Sequence, residues 1–432
     1  MGNQINRTNP LVYTINANGE NIYSNVSNIL KPLHYKKIWV GNCQTFALDY
    51  KNNLYSWGLN DYFQLGHNKN TKYIFNTNKK KKIFDTFQCL NKIFPIPGSK
   101  ISKISTGEGF TLFLTKEGKV YSLGKNNKCQ LGYEISYNQS EIINGIKCIK
   151  NPKEIEYFSK NNIFIIDIFS GSDFSFAKDN RGIFYSWGSN EHSQLARKNN
   201  NNKYEIYPSK ADLIPQDITI DNLVCGWSHS ILKTYLGEAY IWGNILYDYD
   251  KSKKDIEIPK KIDLIGKVIE ISSGFHHLAI IVNFMKENNL YTFGVNDCGQ
   301  LGYYTKKIYS EIPLKVEFPN KNSLIQNVSC GAFHTICKLN DNSVYGFGQN
   351  EHREVGLYQS DTINYPSIVN WINDNDNKEI DSIICGNGFT YILKINKNAK
   401  KNIKEKENTF QKDFSKINVD KISIKDSEHN ID

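Results

Sequence analysis

LYSWGLNDYFQLG, residues 54–66, joins an alternating apolar-polar segment to an aromatic-glycine pair and then to a polar turn. Similar segments recur along the chain: VYSLGKNNKCQLG from Val120, FYSWGSNEHSQLA from Phe184 and LYTFGVNDCGQLG from Leu290. Recurrence of this kind is the signature of a repeat architecture, so repetition has to be tested before any copy is interpreted as a catalytic loop.

Two short motifs define the repeat. The aromatic motif ends its strand-like segment in a glycine, at Gly58, Gly124, Gly188, Gly243, Gly294 and Gly348. The glycine motif is a glycine that is usually followed four residues later by Ser or Thr, and it begins at Gly41, Gly107, Gly171, Gly226, Gly274, Gly331 and Gly386. The two glycines of a unit lie 17 residues apart in five units and 20 apart in one, where NFMKENN lengthens the segment between them. This constant spacing indicates a true structural repeat.

Each unit has the pattern of a β-hairpin. In FTLFLTKEGKVYSLG, residues 110–124, apolar and polar residues alternate, turn at KEG, and alternate again. Further strand-like segments between the units predict small antiparallel sheets of about four strands. A sheet of this size buries both faces when it stacks radially against its neighbours. The sequence therefore predicts an all-β fold, a seven-bladed β-propeller.

The two chain ends carry complementary halves of a unit. Gly386 opens a seventh glycine motif that no aromatic motif follows, whereas VYTINANG, residues 12–19, resembles an aromatic motif that no glycine motif precedes. We expect these N- and C-terminal half-repeats to pair and close the last blade. The prediction assigns residues 1–394 to the propeller and residues 395–432, rich in Lys, Asp and Glu, to a disordered C-terminal tail.

Composition limits the remaining possibilities. The formal net charge of +9 suits an anionic partner or simply a lysine-rich surface. The Asn- and Lys-rich segments 68–82 and 197–203 are predicted to be solvated loops. No apolar run is long enough to span a membrane and no secretory signal is recognised, so we expect a protein of the nucleus or cytoplasm. We also expect it to be a monomer. Gly2 leaves N-terminal myristoylation open as an alternative.

Signatures of bond-making catalysis are missing from the sequence. It contains neither a G-x-S-x-G elbow nor a G-x-x-x-x-G-K-[ST] phosphate loop, and its nine cysteines form no C-x-x-C pair. We therefore expect no bond-making catalytic site, no cofactor and no bound metal. Residues that the repeat itself explains are predicted to be structural: the histidines His229, His277 and His334, the tryptophans Trp57, Trp187 and Trp242, and the cysteines Cys225, Cys330 and Cys385.

The complete pattern is Gly-x-x-His-[Thr/Ser], a hairpin, Tyr-Ser-[Trp/Phe/Leu]-Gly-x-Asn and Gln-Leu-Gly. It resembles the regulator of chromosome condensation repeat family over roughly residues 10–394. The chain departs from this pattern where the histidine is replaced, by Gln44, Phe110, Phe174 and Phe389. Gln-Leu-Gly is replaced by Gln-Leu-Ala at Gln194, and no such segment follows Asn244.

The resemblance implies a protein-binding propeller and, by analogy with the family's nuclear exchange factor, a guanine-nucleotide releasing factor for a Ran-type small GTPase. The GTPase-binding residues of that factor correspond here to Glu108, Asp173 and His276. That factor also has a protruding hairpin after its second aromatic motif, whereas residues 122–132 have ordinary length and predict none. The alternatives are a non-enzymatic scaffold and a chromatin-binding propeller, with basic tracts at Lys79–Lys82 and Lys397–Lys406.

Overall fold

The computed structural model describes residues 11–15 and residues 35–396, except 50, 68–70, 78–79, 90–95, 97, 137, 139, 199–201, 247–248, 251, 253, 305–307, 321–323, 352, 358–360 and 370–377. Three sequence-based predictions lie outside the described residues: the acylation of Gly2, the disordered tail beyond Asn396, and the basic tract Lys397–Lys406. In the part of the chain that is described, no helix is long and apolar enough to cross a membrane.

The described fold is built from antiparallel strands. The strands are β1 (Leu11–Ile15), β2 (Tyr35–Val40), β3 (Gln44–Asp49), β4 (Leu54–Leu59), β5 (Thr71–Thr77), β6 (Lys80–Cys89), β7 (Ile101–Thr106), β8 (Phe110–Thr115), β9 (Val120–Lys125), β10 (Glu141–Ile143), β11 (Ile146–Glu154), β12 (Ile165–Ser170), β13 (Phe174–Asp179), β14 (Phe184–Ser189), β15 (Tyr204–Lys210), β16 (Ile220–Cys225), β17 (His229–Thr234), β18 (Ala239–Gly243), β19 (Ile256–Lys261), β20 (Lys267–Ser273), β21 (His277–Phe284), β22 (Glu287–Val295), β23 (Tyr309–Lys315), β24 (Ile325–Cys330), β25 (His334–Leu339), β26 (Val344–Gln349), β27 (Thr362–Ile368), β28 (Lys378–Gly386) and β29 (Phe389–Asn396). A short helix, α1 (Glu156–Lys160), and a 3₁₀ turn (Gly98–Lys100) complete the described elements.

The strands form a propeller around a central channel. Six sheets have four or five strands and are named blades 1 to 6 in chain order: β2-β3-β4-β6-β5, β10-β11-β9-β8-β7, β12-β13-β14-β15, β16-β17-β18-β19, β20-β21-β22-β23 and β24-β25-β26-β27. The closing sheet, β1-β29-β28, has three strands. The predicted propeller is confirmed, but the predicted number of seven four-stranded blades is wrong, because the described residues form six complete blades. The half-units supply three strands to the closing sheet, and residues 16–34 lie outside the described part of the chain.

The closing sheet joins the two ends of the chain. Strand β1 runs antiparallel to β29, from the pair Leu11–Lys394 to the pair Ile15–Thr390. The prediction that N- and C-terminal half-repeats close the ring is therefore confirmed. Trp57 of blade 1 adds a side-chain link, because its indole Nε1 donates to the hydroxyl of Tyr391 at 2.8 Å.

The constant spacing of the two motifs follows from how they meet within a blade. The fourth residue of the glycine motif pairs with the glycine of the aromatic motif, as Phe110 does with Gly124. There the backbone of Gly124 has a positive φ of 102°, which lets the amide of Lys125 donate to the carbonyl of Gly109 at 2.8 Å. A Cβ on Gly124 would lie 2.3 Å from that carbonyl oxygen, so a side chain is excluded.

Other parts of the motifs connect neighbouring blades. The hydroxyl at the end of the glycine motif donates to the backbone carbonyl of the Gln-Leu-Gly segment in the preceding blade, as Thr335 does to Gln300 at 2.9 Å. The indole Nε1 of Trp187 donates to the equivalent carbonyl of Gln130 at 2.9 Å. Trp187 and Trp242 are fully buried. These tryptophans therefore pack and join blades, as predicted, and the aromatic motif is structural rather than catalytic.

The seven glycine motifs lie together at one face of the propeller, the loop face. Each motif connects the inner strand of its sheet to the second strand, and the third strand of each complete blade ends at this face. The hairpin turns between second and third strands lie at the opposite face. Residues at equivalent places of different glycine motifs are therefore brought to the same side of the ring.

Blades 1 and 2 each carry an additional hairpin beyond the loop face. In blade 1, β4 pairs with β6 as far as Leu59–Phe84, while β5 and β6 continue pairing to Thr77–Lys80. The loop predicted for residues 68–82 is therefore wrong where residues 71–77 and 80–82 lie in strands. In that lysine-rich segment β5 and β6 pair with each other, from Thr71–Asp85 to Thr77–Lys80, which the local composition does not indicate.

The hairpin of blade 2 likewise continues past the end of the neighbouring strand. Strand β11 pairs with β9 at Cys148–Lys125, so the β10–β11 turn at Asn144 and Gly145 lies past the end of β9. Residues 122–132 do have ordinary length, but the expectation of no protruding hairpin is wrong, since one follows at residues 141–149. The sequence INGI at residues 143–146 carries the Asn-Gly signal of a tight hairpin turn.

Candidate functional site

Backbone hydrogen bonds link neighbouring glycine motifs around the mouth of the central channel. The amide after the motif glycine donates to a carbonyl of the neighbouring motif, with distances of 2.8 Å from Glu108 to Ser172 and 3.0 Å from Trp227 to Phe275. A bond of the same kind joins the closing sheet to blade 1, where the Asn387 amide donates to the Asn42 carbonyl at 2.6 Å. The channel has a volume of about 480 Å³ and is lined by the inner strands of all seven sheets.

Two of the three predicted site residues meet at a buried lysine. Lys125 Nζ lies 3.2 Å from Asp173 Oδ1 and 3.5 Å from Glu108 Oε2. The amide of Gln130 donates to the same Asp173 oxygen at 3.0 Å, and Ser172 Oγ donates to Glu108 at 3.3 Å. The Lys125 side chain is 9% exposed, that of Asp173 19% and that of Glu108 40%. Glu108 thus presents its carboxylate to solvent, while Asp173 holds the network in place.

Two carboxylates share one ammonium group in this network. Burial alone lowers the pKa of Lys125, but attraction by Asp173 and Glu108 outweighs burial and leaves that pKa raised. Burial raises the pKa of Asp173, an effect that Lys125 partly offsets and the charge of Glu108 reinforces. The lysine is therefore firmly protonated. Two carboxylates around one ammonium group give the cluster one more negative charge than positive charge.

His276 lies in a separate cluster, in blade 5. It is 5% exposed, and its Nδ1 lies 3.3 Å from the carbonyl oxygen of Ile245. Its ring is 5.4 Å from that of Tyr249 and 6.1 Å from that of Trp227, centroid to centroid. The structure therefore brings Glu108 and Asp173 together through Lys125, but it does not bring His276 into that network.

An aromatic cluster beside His276 was missed by the sequence analysis. The rings of Trp227 and Phe275 are 4.8 Å apart, and those of Phe275 and Phe333 are 5.5 Å apart. All three residues are half-buried, and Trp227 and Phe275 line the mouth of the channel. The variable second and third places of the glycine motif, GWSHS, GFHHL and GAFHT, were the available signal.

Lys125 was also missed, although the repeat marks it. The residue after the aromatic-motif glycine is Leu, Lys, Ser, Asn, Val or Gln in the six copies, so Lys125 is the one charged residue at this place. Its neighbours along the chain gave no reason to expect two acids around it, because Glu108 and Asp173 come from two different blades.

The predicted structural histidines fill equivalent places between blades. The Nε2 atoms of His229, His277 and His334 each lie 3.0 Å from a hydroxyl oxygen, belonging to Ser273, Thr335 and Thr390 respectively. Burial lowers the pKa of each histidine to about 3, so all three are neutral near pH 7. Their structural assignment is confirmed.

The predicted structural cysteines are not activated nucleophiles. Cys330 and Cys385 are buried, and Cys225 is half-buried in the equivalent place. Burial raises the pKa of Cys225 and Cys330 to about 12 and that of Cys385 to about 11. A thiol with such a pKa is protonated at neutral pH, and the thiolate is the reactive form.

We expect Lys125→Met to destabilise the protein by about 3 kcal/mol, because it leaves two carboxylates close together without their buried partner. Since removal of Lys125 raises the pKa of Asp173 further, the loss should grow as the pH rises through the pKa of that carboxyl group. Lys128→Met is the matched control, because Lys128 pairs with Glu191 at a more exposed site and should cost less than about 1 kcal/mol. Denaturant unfolding measures both, and equal losses would contradict the buried network.

Comparison with known proteins gives a family match. The model for the regulator of chromosome condensation (RCC1) repeat matches residues 51–114, 117–177, 181–232, 287–337 and 341–393. A second model of the same repeat matches residues 101–130 and 325–354.

The chain is similar in sequence to several differently named proteins. The chain is 27% identical to ultraviolet-B receptor UVR8 of Arabidopsis thaliana over 73% of this chain and 65% of the receptor. It is also 27% identical to the human X-linked retinitis pigmentosa GTPase regulator, over 71% of this chain and 27% of that protein. The chain thus spans less than two thirds of the length of either relative.

Among solved structures, the chain is similar in fold to Prp20p from Saccharomyces cerevisiae, a protein described with its binding properties to Gsp1p and histones. The TM-score is 0.67 at 18% identity, over 93% of this chain and 96% of Prp20p. At this identity the likeness concerns the fold.

Proposed function

Because the chain belongs to the regulator of chromosome condensation repeat family, we propose that it is a nuclear protein-interaction propeller that promotes guanine-nucleotide exchange on a Ran-type small GTPase. The observation that carries this proposal is the cluster of Glu108, Lys125 and Asp173 on the loop face. A net negative, partly exposed group held by a rigid ring suits a partner that has cationic groups at its binding site.

Exchange requires no bond-making step. An exchange factor accelerates nucleotide release by binding the nucleotide-free GTPase more tightly than the nucleotide-bound form. In a GTPase, a lysine and Mg²⁺ hold the nucleotide phosphates. In our proposal, the exposed carboxylate of Glu108 competes for such a cationic group, while Asp173 and Lys125 fix the position of Glu108. His276 orients the neighbouring loop through its contacts with Trp227 and Tyr249.

The hairpin β10–β11 gives this face a second contact element. Its turn lies beyond the end of β9, whose last residue is Lys125, so it rises next to the acidic cluster. Ile142 near the tip is 51% exposed. An apolar residue on a projecting hairpin beside a charged cluster supports a protein partner, which would bury the apolar side chain.

The test compares Glu108→Gln with a matched substitution on the opposite face. We expect Glu108→Gln to slow the release of labelled GDP from Ran about tenfold or more, because a charge-assisted contact contributes about 1.5–3 kcal/mol. Glu117→Gln removes an equivalent exposed carboxylate, which lies 3.7 Å from Lys100, and should leave the rate unchanged. Failure of the unsubstituted protein to accelerate release would refute the exchange proposal, and an unchanged rate for Glu108→Gln would refute the site.

A second candidate is a scaffold without exchange activity. It is favoured by the internal pairing of Asp173 and by the burial of His276, since both side chains already have partners within the propeller. Binding measurements separate the two candidates. An exchange factor should bind nucleotide-free Ran at least about 100-fold more tightly than the GDP complex, whereas a scaffold should bind both forms equally or neither.

A further inference from the structure

We propose that an apolar surface of blades 4 and 5 joins this protein to a second copy of itself. The surface lies at the face opposite the loop face, where the hairpin turns between second and third strands are found. It is named the tip patch and consists of five exposed side chains: Tyr235, Leu236, Ile265, Phe284 and Met285. The inference does not depend on the exchange proposal, and a dimer would replace the monomer expected above.

Three adjoining segments build the tip patch. The β17–β18 turn lies against the start of β20, because the amide of Val268 donates to the carbonyl of Gly237 at 2.9 Å. Gly266 lies against the β21–β22 hairpin, since an added Cβ would come within 3.1 Å of the Cβ atom of Phe284. Ile265 therefore lies between the two turns and connects their apolar side chains.

The fold does not require apolar residues in the turn of blade 4. The equivalent turn places of blades 2, 3 and 6 are polar or charged: Lys116 and Glu117, Asn180 and Arg181, and Asn340 and Asp341. Blade 4 has Tyr235 and Leu236 there instead. Because polar residues form the same turn in three other blades, packing within the propeller does not explain these apolar side chains.

The hairpin of blade 5 projects further than that of blade 4. Its two strands form eight residue pairs, against five between β17 and β18. This is the unit in which the motif glycines lie 20 rather than 17 residues apart. At its tip Met285 and Lys286 have positive φ angles of 49° and 69°, in a kind of turn that favours Asn and Gly. The longer hairpin and its unfavourable turn residues present Met285 to a partner.

The exposed area of the tip patch is close to what one copy buries in a stable dimer. The exposed fractions run from 42% for Phe284 to 81% for Leu236 and Met285. At roughly 200 Å² for each large apolar side chain, the five fractions correspond to about 700 Å². The largest apolar patch of a typical monomer is about 300–600 Å², whereas each partner of a standard interface buries about 800 Å².

The charges around the tip patch favour a second copy as its partner. Lys267 and Lys286 are exposed beside the patch, and so are Asp263 and Glu287. Two-fold symmetry places the same surface on both sides of an interface, so a rim of mixed charge pairs basic groups with acidic ones. An anionic lipid surface would attract the lysines but repel the carboxylates.

Sedimentation velocity of the full chain measures the association between about 0.1 and 100 µM, where weak interfaces of standard size dissociate. The patch variant is Leu236→Glu/Met285→Glu. The control variant is Ile258→Glu/Ile312→Glu, whose two isoleucines are each 63% exposed on the outer strands β19 and β23 of the same blades. Both variants introduce the same two charges at exposed places, but only the first alters the tip patch.

We expect the unsubstituted protein and the control variant to be dimers at the highest concentration. The dissociation constant of the patch variant should rise about 100-fold or more, because dimerisation would bury the new carboxylates. A milder variant, Leu236→Gln/Met285→Gln, should raise it about tenfold. Thermal unfolding should be alike in all variants. A monomer at the highest concentration would overturn the proposal, and so would equal dissociation constants for the patch and control variants.

A mixing experiment tests whether the partner is a second copy. Lys267→Glu/Lys286→Glu makes the rim acidic, and Asp263→Lys/Glu287→Lys makes it basic. Each variant alone should dimerise about tenfold more weakly, because like charges then face each other, and an equimolar mixture should recover the association. A mixture that associates no better than its components would overturn the two-fold arrangement.

Vesicles of phosphatidylcholine and phosphatidylserine test a lipid partner. Sedimentation with these vesicles should not differ between the patch and control variants. If a monomeric protein binds the vesicles and the patch variant does not, the tip patch contacts membranes and the proposal is wrong.

Discussion

Replacing His229, His277 and His334 with Phe should make the protein resistant to acid. In the unsubstituted protein the pKa of each histidine is about 3, compared with an ordinary value of 6.5. The unfolded state therefore binds more protons below pH 6.5, and stability falls as the pH drops from 6.5 towards 3. Between pH 7 and pH 5 this loss is about 2 kcal/mol for each histidine, or about 6 kcal/mol for the three.

Phenylalanine should be accommodated at these three places, because other units of the repeat have phenylalanine at the equivalent position. Phe110 and Phe174 occupy the same place in blades 2 and 3 and are fully buried. The hydroxyls released by the histidines keep acceptors, because Ser273 donates to Gly274, Thr335 to Gln300 and Thr390 to Glu354. We therefore expect stability at pH 7 to change by less than about 2 kcal/mol in the triple variant.

Urea unfolding between pH 5 and pH 8 measures this effect. The single variants provide the internal control, since each should remove about a third of the acid-induced loss if the three sites act independently. A triple variant that loses stability in acid as steeply as the unsubstituted protein would show that other groups cause the loss.

Gly188→Ala should be among the most destabilising single substitutions, at about 4 kcal/mol. Gly188 has a φ of 99°, which L side chains rarely adopt, and an added Cβ would lie 2.7 Å from the carbonyl oxygen of Asp173. Backbone strain of this kind costs about 1–3 kcal/mol, and the clash with a carbonyl held by the neighbouring strand adds to it. The shift would also move the backbone of Asp173 in the candidate site.

Gly182→Ala, in the same hairpin, is the control. Gly182 has a similar φ of 85°, but an added Cβ would meet no atom within 4 Å. Its substitution should therefore cost about 1 kcal/mol, the strain of the backbone alone. Denaturant unfolding should give a clearly lower midpoint for Gly188→Ala than for Gly182→Ala. Equal destabilisation would mean that the close approach of Asp173 is not the reason why the aromatic motif requires glycine at position 188.

The repeat could be recognised from sequence because its information is local. A glycine motif, a hairpin and an aromatic motif lie within about one unit, so the alternation of residues predicts β21 and β22 as readily as β8 and β9. The complementary halves at Val12 and Gly386 predicted closure of the ring, which the pairing of β1 with β29 confirmed. The repeat also identified His229, Trp187 and Cys330 as structural, because their places recur.

The errors occurred at segments that lie outside the two repeated motifs. Residues 71–77 and 80–82 look like a polar loop by composition, yet they pair with each other as the hairpin of β5 and β6, and β6 then continues along β4. The number of complete blades depends on how many strands the chain ends contribute to the closing sheet. No local sequence pattern predicts that number of strands. The Asn-Gly pair of the β10–β11 turn is a local signal that stands outside the repeated motifs.

The sequence by itself determined the β-propeller, its closure by the chain ends and the residues that hold the repeat together. The tertiary structure alone decided that Lys125 stands between Glu108 and Asp173 and that His276 belongs to an aromatic cluster. The physical reason is the range of the interactions. Hairpin pairing is encoded within some twenty residues, whereas the charge network and the aromatic cluster depend on contacts that form when separate segments are placed side by side.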